Sequence, residues 1–522
     1  MIAPLQSAGA PDQVGCAGRP PPQALQPQAL ATLASGASTA VAGVLVGRGV
    51  QLAGQVVLAR ALGPALFGVY SLGWTVLRIT GLMAPLGLDS GVVYFASRHR
   101  DDPGRFKGVV LASLALAIGG GALIGCVVWV AAPWLAVRVF GEPRLTGVLR
   151  GLSLAMGLLA GLRVAASATR VSQRVQYSIY AEAIGQPAVN LLLFLILFVM
   201  GERLIGAVAA CTASHGVAFL LALYYLFRLF PEALSSETRP LFNTLTLIGF
   251  SLPIASAGTM LSLNAWVGRL LVGYFQPAAE VGIYQAASEA SILFAIIVVG
   301  FSTILAPTIA DLHRREQWQM LDELFKVSTK WTLYLSIPPF LVIAFLPREV
   351  MTVLYGMRYE SGAVPLLILS IGQLVNAGTG AVGLMLVMTG HQTELLRISA
   401  LALAVNVALS CILIPHFGLA GAAVASTCAI GGVNCMAVLV AWRSIRVWPY
   451  DARYWKGLIA GALAAAPILF FPSASIRAPV LRLSVTSLIV LLMFGAALLQ
   501  LGLDTEDRQL AATTRRRLSG GR

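Results

Sequence analysis

Long apolar stretches dominate the chain, and each is long enough to cross a lipid bilayer. A hydrocarbon core of about 30 Å requires about 20 apolar residues per helix. We count fourteen such stretches, separated by short polar turns or by turns marked with glycine and proline. They are residues 35–59, 66–97, 108–133, 147–169, 176–200, 204–227, 241–273, 279–308, 329–354, 362–389, 395–415, 418–442, 455–472 and 479–502. The pattern predicts an all-α, polytopic membrane protein with about fourteen transmembrane helices.

Two turns share a pattern that indicates an internal repeat. "LGPALFGVY" (62–70) and "FQPAAEVGIY" (275–284) each contain Pro, a small residue and then Gly-hydrophobic-Tyr. A second pair of similar stretches begins at positions 188 and 405, and matched residues in both pairs lie 213 to 216 positions apart. We therefore predict six-helix bundles at 35–228 and 241–442, a cytoplasmic linker at 229–240 and two added helices within 455–502. Parallel repeats of this kind characteristically hold a substrate at their interface, which predicts a transporter working by alternating access.

Composition excludes an ordinary soluble protein. The 522 residues are 57% hydrophobic and 11% charged, against about 25% charged residues in soluble domains. No loop is long enough for a catalytic domain, and no P-loop, HExxH, CxxC or Gly-x-Ser-x-Gly arrangement is present. We expect a protein that is not an enzyme, with no cofactor and no metal site. The Pro- and Gln-rich residues 1–34 are predicted to form a disordered cytoplasmic tail.

The distribution of lysine and arginine predicts the orientation. If the N-terminus is inside, the inner segments carry 23 of these residues and the outer loops carry 8. The excess on the inner side places both termini in the cytoplasm. It also explains most of the net charge of +14 without nucleic acid. The basic tail, 503–522, is predicted either to lie near anionic membrane lipids or to be solvated without a partner.

Four arginines lie deep inside predicted spans: Arg48, Arg78, Arg163 and Arg269. A charged residue at the bilayer centre costs roughly 2.5 to 3.5 kcal/mol on insertion scales. Arg48, Arg78 and Arg269 lie on the first two spans of each predicted repeat, so they are placed to line a cavity between the bundles. Arginine binds phosphate through a planar fork of donors, which indicates a phosphate-bearing substrate. The alternative is structural pairing, above all between Arg269 and Glu289.

Other polar residues follow helical spacing on the same spans. We expect five of them to face the cavity: Gln51, Gln55, Trp74, Asn264 and Gln285. Three carboxylates are candidates for ion coupling: Asp89, Glu182 and Glu289. Gln51, Gln55, Asn190, Asn264 and Asn376 fit interhelical hydrogen bonding equally well. Arg150 is interpreted as an interface residue, and Asp89 also fits a simple position at a helix end.

Several segments resemble one known family. "LARALGPALFGVYSLGWTVLRITGLMAPLGLDSGVVYFASRHR" (58–100), "VGRLLVGYFQPAAEVGIYQAASEASILF" (267–294) and "VLYGMRYESGAVPLLILS" (353–370) are similar to the polysaccharide transporter branch of the multidrug/oligosaccharidyl-lipid/polysaccharide exporter superfamily. "HFGLAGAAVAS" (416–426) is also typical of that branch, which includes Wzx-type flippases. The likeness extends over most of 35–445.

The resemblance implies fourteen helices in two bundles around a cationic cavity. It implies a flippase in the bacterial cytoplasmic membrane that moves an oligosaccharide linked to undecaprenyl pyrophosphate. A polysaccharide polymerase or glycosyltransferases are expected as partners. Three alternatives stay open: a cation-coupled exporter of drugs or metabolites, a peptidoglycan-precursor flippase, and a scaffold that transports nothing. The cavity of a cation exporter should be acidic, so the excess of embedded arginines disfavours that alternative.

Overall fold

The protein is built of α-helices throughout the part of the chain that the structure, a computed structural model, describes. This part comprises residues 27–231, 235, 237–470, 478–502, 504 and 506–508. The helices are α1 Pro27–Met83, α2 Leu88–Arg98, α3 Pro103–Trp134, α4 Leu145–Thr169, α5 Gln176–Ser178, α6 Gln186–Val199, α7 Leu204–Leu229, α8 Thr244–Phe275, α9 Ala278–Ser291, α10 Leu293–Arg314, α11 Trp318–Phe345, α12 Pro347–Tyr355, α13 Ala363–Gly378, α14 Val382–Met388, α15 Gln392–Ile445, α16 Ala452–Phe470 and α17 Pro479–Gln500. The all-α, polytopic prediction is confirmed.

The helices coincide with the predicted spans, but their breaks fall at unexpected places. Helix α1 contains the predicted span 35–59 and most of 66–97, joined at Gly63 (φ 70°), and α15 contains two whole predicted spans, joined at Gly418 (φ 56°). The predicted span 66–97 is interrupted between α1 and α2, where Leu86 and Gly87 have positive φ. Eight helical stretches among the described residues are long and apolar enough to cross a membrane, and nine if the bent pair α11–α12 is counted. The number fourteen stays a prediction.

The structure describes only part of each predicted tail. Helix α1 begins at Pro27, inside the stretch predicted as a tail, while residues 1–26 lie outside the described chain. Most of the basic tail, 509–522, also lies outside it. The added helices α16 and α17 pack against each other and against α11. They share a buried apolar core with α11 that includes Leu333, Ile337 and Phe494.

The two turns that indicated the repeat pack against each other. A Cβ atom at Gly68 would lie 1.6 Å from the Ala278 carbonyl oxygen, and one at Gly282 would lie 2.2 Å from the Pro64 carbonyl oxygen. Neither position has room for a side chain, so the shared glycine reflects a close backbone approach. The Tyr359 hydroxyl donates to the Ala59 carbonyl at 2.7 Å beside this contact. The two halves of the chain are therefore in contact on the face assigned to the outside.

A second contact joins the halves on the opposite face. The Tyr94 ring on α2 stacks on Phe250 of α8 at 4.4 Å between centroids. The Leu241 amide donates to the Gly104 carbonyl at 2.9 Å, and Lys107 Nζ donates to the Ser235 carbonyl at 2.7 Å. The segment that links the halves is thereby attached to the start of α3. Along the chain, the embedded residue Arg78 lies between the two contacts.

Candidate functional site

A cavity of about 210 Å³ lies among helices of the first half, and we call it the first-half cavity. Helix α1 contributes residues from both of its arms, and α4, α6 and α7 complete the wall. Its polar and charged lining residues are Arg48, Gln51, Arg78, Arg163, Glu182, Gln186 and His215. Three of the four embedded arginines predicted from the sequence thus line one space, although they are far apart in the chain.

The charge of this cavity is positive. Glu182 is the single carboxylate among its lining residues. That carboxylate lies 3.8 Å from Arg170, and both side chains are partly exposed. The described part of the chain shows no ion pair for Arg48, Arg78 or Arg163, and Arg78 lies over the Trp74 ring at 4.7 Å. Three cations facing a small space suit an anionic group with several oxygens.

Local backbone geometry shapes one wall of this cavity. Residues Ile179–Gly185 form a π-helical turn between α5 and α6, and Glu182 lies on it. Such turns are rare and occur frequently at functional sites. On α7, His215 Nδ1 lies 2.7 Å from the Cys211 carbonyl oxygen. Because a carbonyl only accepts, Nδ1 carries the proton, and in the neutral ring Nε2 is left as an acceptor.

A larger cavity of about 500 Å³ lies among helices of the second half, and we call it the second-half cavity. Arg269 lines it but is also held by its neighbours: Arg269 Nη2 lies 3.7 Å from Glu289 Oε1 and donates to the Ser288 hydroxyl at 3.2 Å. Both members of the ion pair are nearly fully buried, at 3% and 8% side-chain exposure. The geometry is that of the structural pair weighed from the sequence.

Two tryptophans are in contact beside the second-half cavity, which Trp266 lines. The Trp74 and Trp266 rings meet edge to face with centroids 5.2 Å apart. Arg78, which lines the first-half cavity, lies 6.0 Å from the Trp266 ring, which lines the second. Arg269 lies 4.8 Å from the same ring. Four side chains from two distant parts of the chain therefore form one aromatic and cationic junction.

The other predicted site residues lie outside the first-half cavity. Asn264 lines the second-half cavity and accepts a hydrogen bond from Asn406 at 2.9 Å. Gln55 is buried and lines neither of the two cavities. Gln285 is fully buried and donates to Glu289 at 3.0 Å. Asp89 lies in the first turn of α2 and is not in the lining of either cavity.

Several lining residues were missed by the sequence analysis. Trp266 stands three residues before Arg269, but the repeat did not point to it, because an offset of 214 residues places it opposite Leu52. His215 carried no clear signal on its largely apolar helix, whereas Gln373 stands three residues before Asn376 and could have been found from that spacing. No cluster of three or more metal-binding side chains is found among the described residues.

A multi-pass helical protein with polar cavities in both halves has the architecture of a transporter. Comparison with solved structures agrees. The protein is similar to the lipid II flippase MurJ in an inward closed conformation, with TM-score 0.71, 14% identity, and 87% of this chain and 96% of that chain covered. It is also similar to an inward-facing multidrug resistance MATE transporter of the MOP superfamily, with TM-score 0.65, 16% identity, and coverage of 76% and 94%. At these identities the likeness concerns the fold.

The family follows from the sequence itself. Residues 33–313 match the family model described as "Polysaccharide biosynthesis protein", and the chain belongs to this family. It is 23% identical over 391 residues to the probable low-salt glycan biosynthesis flippase Agl15 of Haloferax volcanii, covering 73% of this chain and 78% of that one. It is 31% identical over 137 residues to the lipid III flippase of Escherichia coli, covering 26% and 31%. The predicted family resemblance is confirmed.

Proposed function

We propose that the protein is a flippase for a lipid-linked oligosaccharide, with the diphosphate of the carrier lipid bound in the first-half cavity. The observation that carries the proposal is the convergence of Arg48, Arg78 and Arg163 on one space with a single carboxylate in its lining. Flippase relatives and membership of a polysaccharide biosynthesis family support the same substrate class. Undecaprenyl diphosphate is the carrier expected in the bacterial cytoplasmic membrane.

The mechanism requires no covalent step. The arginines bind the diphosphate, and their guanidinium groups replace the water that the anion loses on entering the membrane. The prenyl chain stays in the bilayer while the head group crosses. The turns at Gly68 and Gly282 close the face assigned to the outside, and the contact of Tyr94 with Phe250 joins the halves on the opposite face. In this mechanism the second contact opens to admit the head group from the cytoplasm, and the first opens to release it. In this orientation, which the lysine and arginine distribution predicts, both termini lie in the cytoplasm.

The experiment removes the cavity arginines in a strain that lacks the wild-type gene. The triple variant Arg48→Ala, Arg78→Ala, Arg163→Ala is expected to abolish surface polysaccharide while its level in the membrane stays normal. Arg150→Ala is the matched control, because Arg150 is exposed, lies over Trp129 at 5.6 Å and lines neither cavity. Full export by the triple variant at normal protein level would overturn the proposal.

The same strains test the two nearest alternatives. A cation-coupled exporter would extrude a cationic dye from cells, and the triple variant would improve this activity by removing positive charge. If the protein were a scaffold that transports nothing, the triple variant would still support export. Under our proposal neither result occurs, and reconstituted protein moves undecaprenyl diphosphate-linked glycan across vesicle membranes.

A further inference from the structure

The second-half cavity differs from the first in chemistry as well as in size. Its volume of about 500 Å³ falls within the roughly 300–1,000 Å³ range of small-molecule sites, whereas about 210 Å³ is below that range. Arg269 is its only charged lining residue among those described, and Glu289 compensates that charge at 3.7 Å. The cavity is therefore roomy and close to neutral.

Uncharged hydrogen-bonding groups line this cavity. They include the amides of Gln373, Asn376 and Asn434 and the hydroxyls of Tyr284, Ser399 and Ser426. Some are already engaged: Tyr284 and Ser426 hydroxyls lie 3.0 Å apart, and Asn434 Oδ1 accepts from Thr379 at 3.1 Å. These contacts engage some of the polar groups of the wall and leave the others open to the cavity.

Two amides on α13 are available to a ligand. Gln373 and Asn376 are spaced by three, so they lie on the same side of the helix, and both line the cavity. Within the described chain neither side chain has a hydrogen-bond partner, and the Ser399 hydroxyl opposite them has none either. Each amide presents one acceptor oxygen and two N–H donors. A half-buried polar wall of this kind suits a ligand with many neutral groups that both donate and accept.

The residues between the cavities indicate how a ligand in the second-half cavity would connect to an anionic group in the first. Arg78 lines the first-half cavity and lies 6.0 Å from the Trp266 ring, which lines the second. A molecule with its anionic group among the arginines would extend past this aromatic and cationic junction to reach the amides.

We propose that the second-half cavity recognises the glycan of the transported lipid, with Gln373, Asn376 and Ser399 as specificity-determining residues for its sugar hydroxyl and amide groups. This inference rests on the proposed flippase function. The first half then binds the diphosphate common to all such lipids, and the second half selects the sugar chain. A site that donates to and accepts from substrate hydroxyls rejects analogues that lack them, because its own polar groups would stay unpaired.

The test compares two probes on purified protein in lipid nanodiscs. One probe is undecaprenyl diphosphate, and the other is the lipid-linked glycan extracted from membranes of the host. The variant Gln373→Leu/Asn376→Leu is expected to bind the glycan-bearing lipid roughly 10-fold more weakly, the loss expected for two neutral hydrogen-bonding groups. Its binding of undecaprenyl diphosphate should be unchanged, which also shows that the variant is folded.

A smaller change guards against an indirect effect of the leucines. Ser399→Ala removes one hydroxyl and should weaken binding of the glycan-bearing lipid roughly 3-fold, again without affecting undecaprenyl diphosphate. The control Ile371→Ala alters an exposed side chain on the same helix α13 and should change neither. Equal loss of both probes, or no loss of the glycan-bearing lipid, would overturn the assignment.

Arg78→Ala separates this inference from the function on which it rests. One outcome is that Arg78→Ala binds neither probe while the Gln373→Leu/Asn376→Leu variant, the α13 variant, binds the glycan-bearing lipid normally. In that case glycan recognition lies elsewhere and the flippase proposal stands. If Arg78→Ala binds both probes normally, the diphosphate site itself is wrong. Loss of the glycan-bearing lipid alone in the α13 variant, with loss of both in Arg78→Ala, supports both proposals.

Discussion

Arg78 in the first half and Arg269 in the second are both embedded arginines over a tryptophan ring, yet their surroundings differ. Arg269 is held by Glu289 and Ser288, whereas Arg78 shares its cavity with two further arginines. With the repeat offset of 214 residues, Arg269 corresponds to Gln55 and Glu289 to Thr75, so the ion pair has neutral counterparts in the first half. The embedded charge of Arg269 is thus buried with its own carboxylate, whereas Arg78 has no such carboxylate beside it, and under our proposal its partner is the diphosphate.

Removing Glu289 should produce the largest effect. Glu289→Ala leaves the Arg269 guanidinium buried without its carboxylate, and breaking a buried ion pair costs about 3–5 kcal/mol. Thermal unfolding of the purified protein in detergent measures the loss. Glu182→Ala is the control in the first half, because its pair with Arg170 is partly exposed and should be worth less than about 1 kcal/mol. Equal losses would contradict the distinction between the two arginine sites.

The contact between the repeated turns, where the halves are alike, should give the next largest effect. Gly68→Ala and Gly282→Ala each introduce a methyl group against a carbonyl oxygen, and overpacking costs about 1–3 kcal/mol. Gly54→Ala on the same helix meets no atom within 4 Å and should stabilise by roughly 0.5–1 kcal/mol. Unfolding temperatures of the three variants decide the matter, and a stabilising Gly68→Ala would refute the close approach.

Arg78→Lys should change binding more than stability. Lysine keeps the charge but loses the planar fork and the stacking on Trp74. We expect roughly 10-fold weaker binding of undecaprenyl diphosphate, which corresponds to about 1.4 kcal/mol, with an unfolding temperature close to that of the wild type. Arg150→Lys, outside both cavities, should bind normally. Unchanged binding by Arg78→Lys would show that only the charge matters.

The smallest effect concerns the residues that follow α17, a helix that only the second half carries. Lys330 on α11 is buried and lies 3.4 Å from Asp504, 3.6 Å from Glu506 and 2.9 Å from Asp507. Lys330→Met removes a buried cation, but Arg453 and Lys456 still pair with Glu506 and Asp504, so the loss should fall mainly on the attachment of residues 506–508. Hydrogen exchange at these residues should rise, and Lys326→Met, which breaks one partly buried pair that does not involve them, should leave it unchanged.

Acid should release the same segment. Burial raises the pKa of Asp504, but the hydrogen bond from Lys456 and the charge of Lys330 outweigh it and hold that pKa below its ordinary value. The carboxylate therefore stabilises the attachment above about pH 4, the ordinary aspartate pKa. This contribution is lost as the pH falls through the lowered folded-state value. Limited proteolysis of the C-terminal end at decreasing pH should show this release, and a pH-independent pattern would contradict it.

Helical spacing predicted the polar stripes but not their ends. Arg48, Gln51 and Gln55 share one face of α1, as their spacing of three and seven requires. The first two line the first-half cavity, while Gln55, one turn further on, is buried outside it. Periodicity tells which side of a helix a residue occupies, whereas the neighbouring helices decide how far along that side a cavity extends.

Some properties follow from the sequence alone: the membrane class, the helical content and the two repeated turns. These depend on local hydrophobicity and on spacing along one helix, which the order of residues contains directly. Only the tertiary structure brought Arg163 and His215 beside Arg78 and placed Gln373 and Asn376 in a second cavity. For Arg269 it selected the pairing with Glu289 that the sequence had left as an alternative. The two cavities depend on which helix faces meet between segments far apart in the chain, and a single sequence carries no signal for such packing.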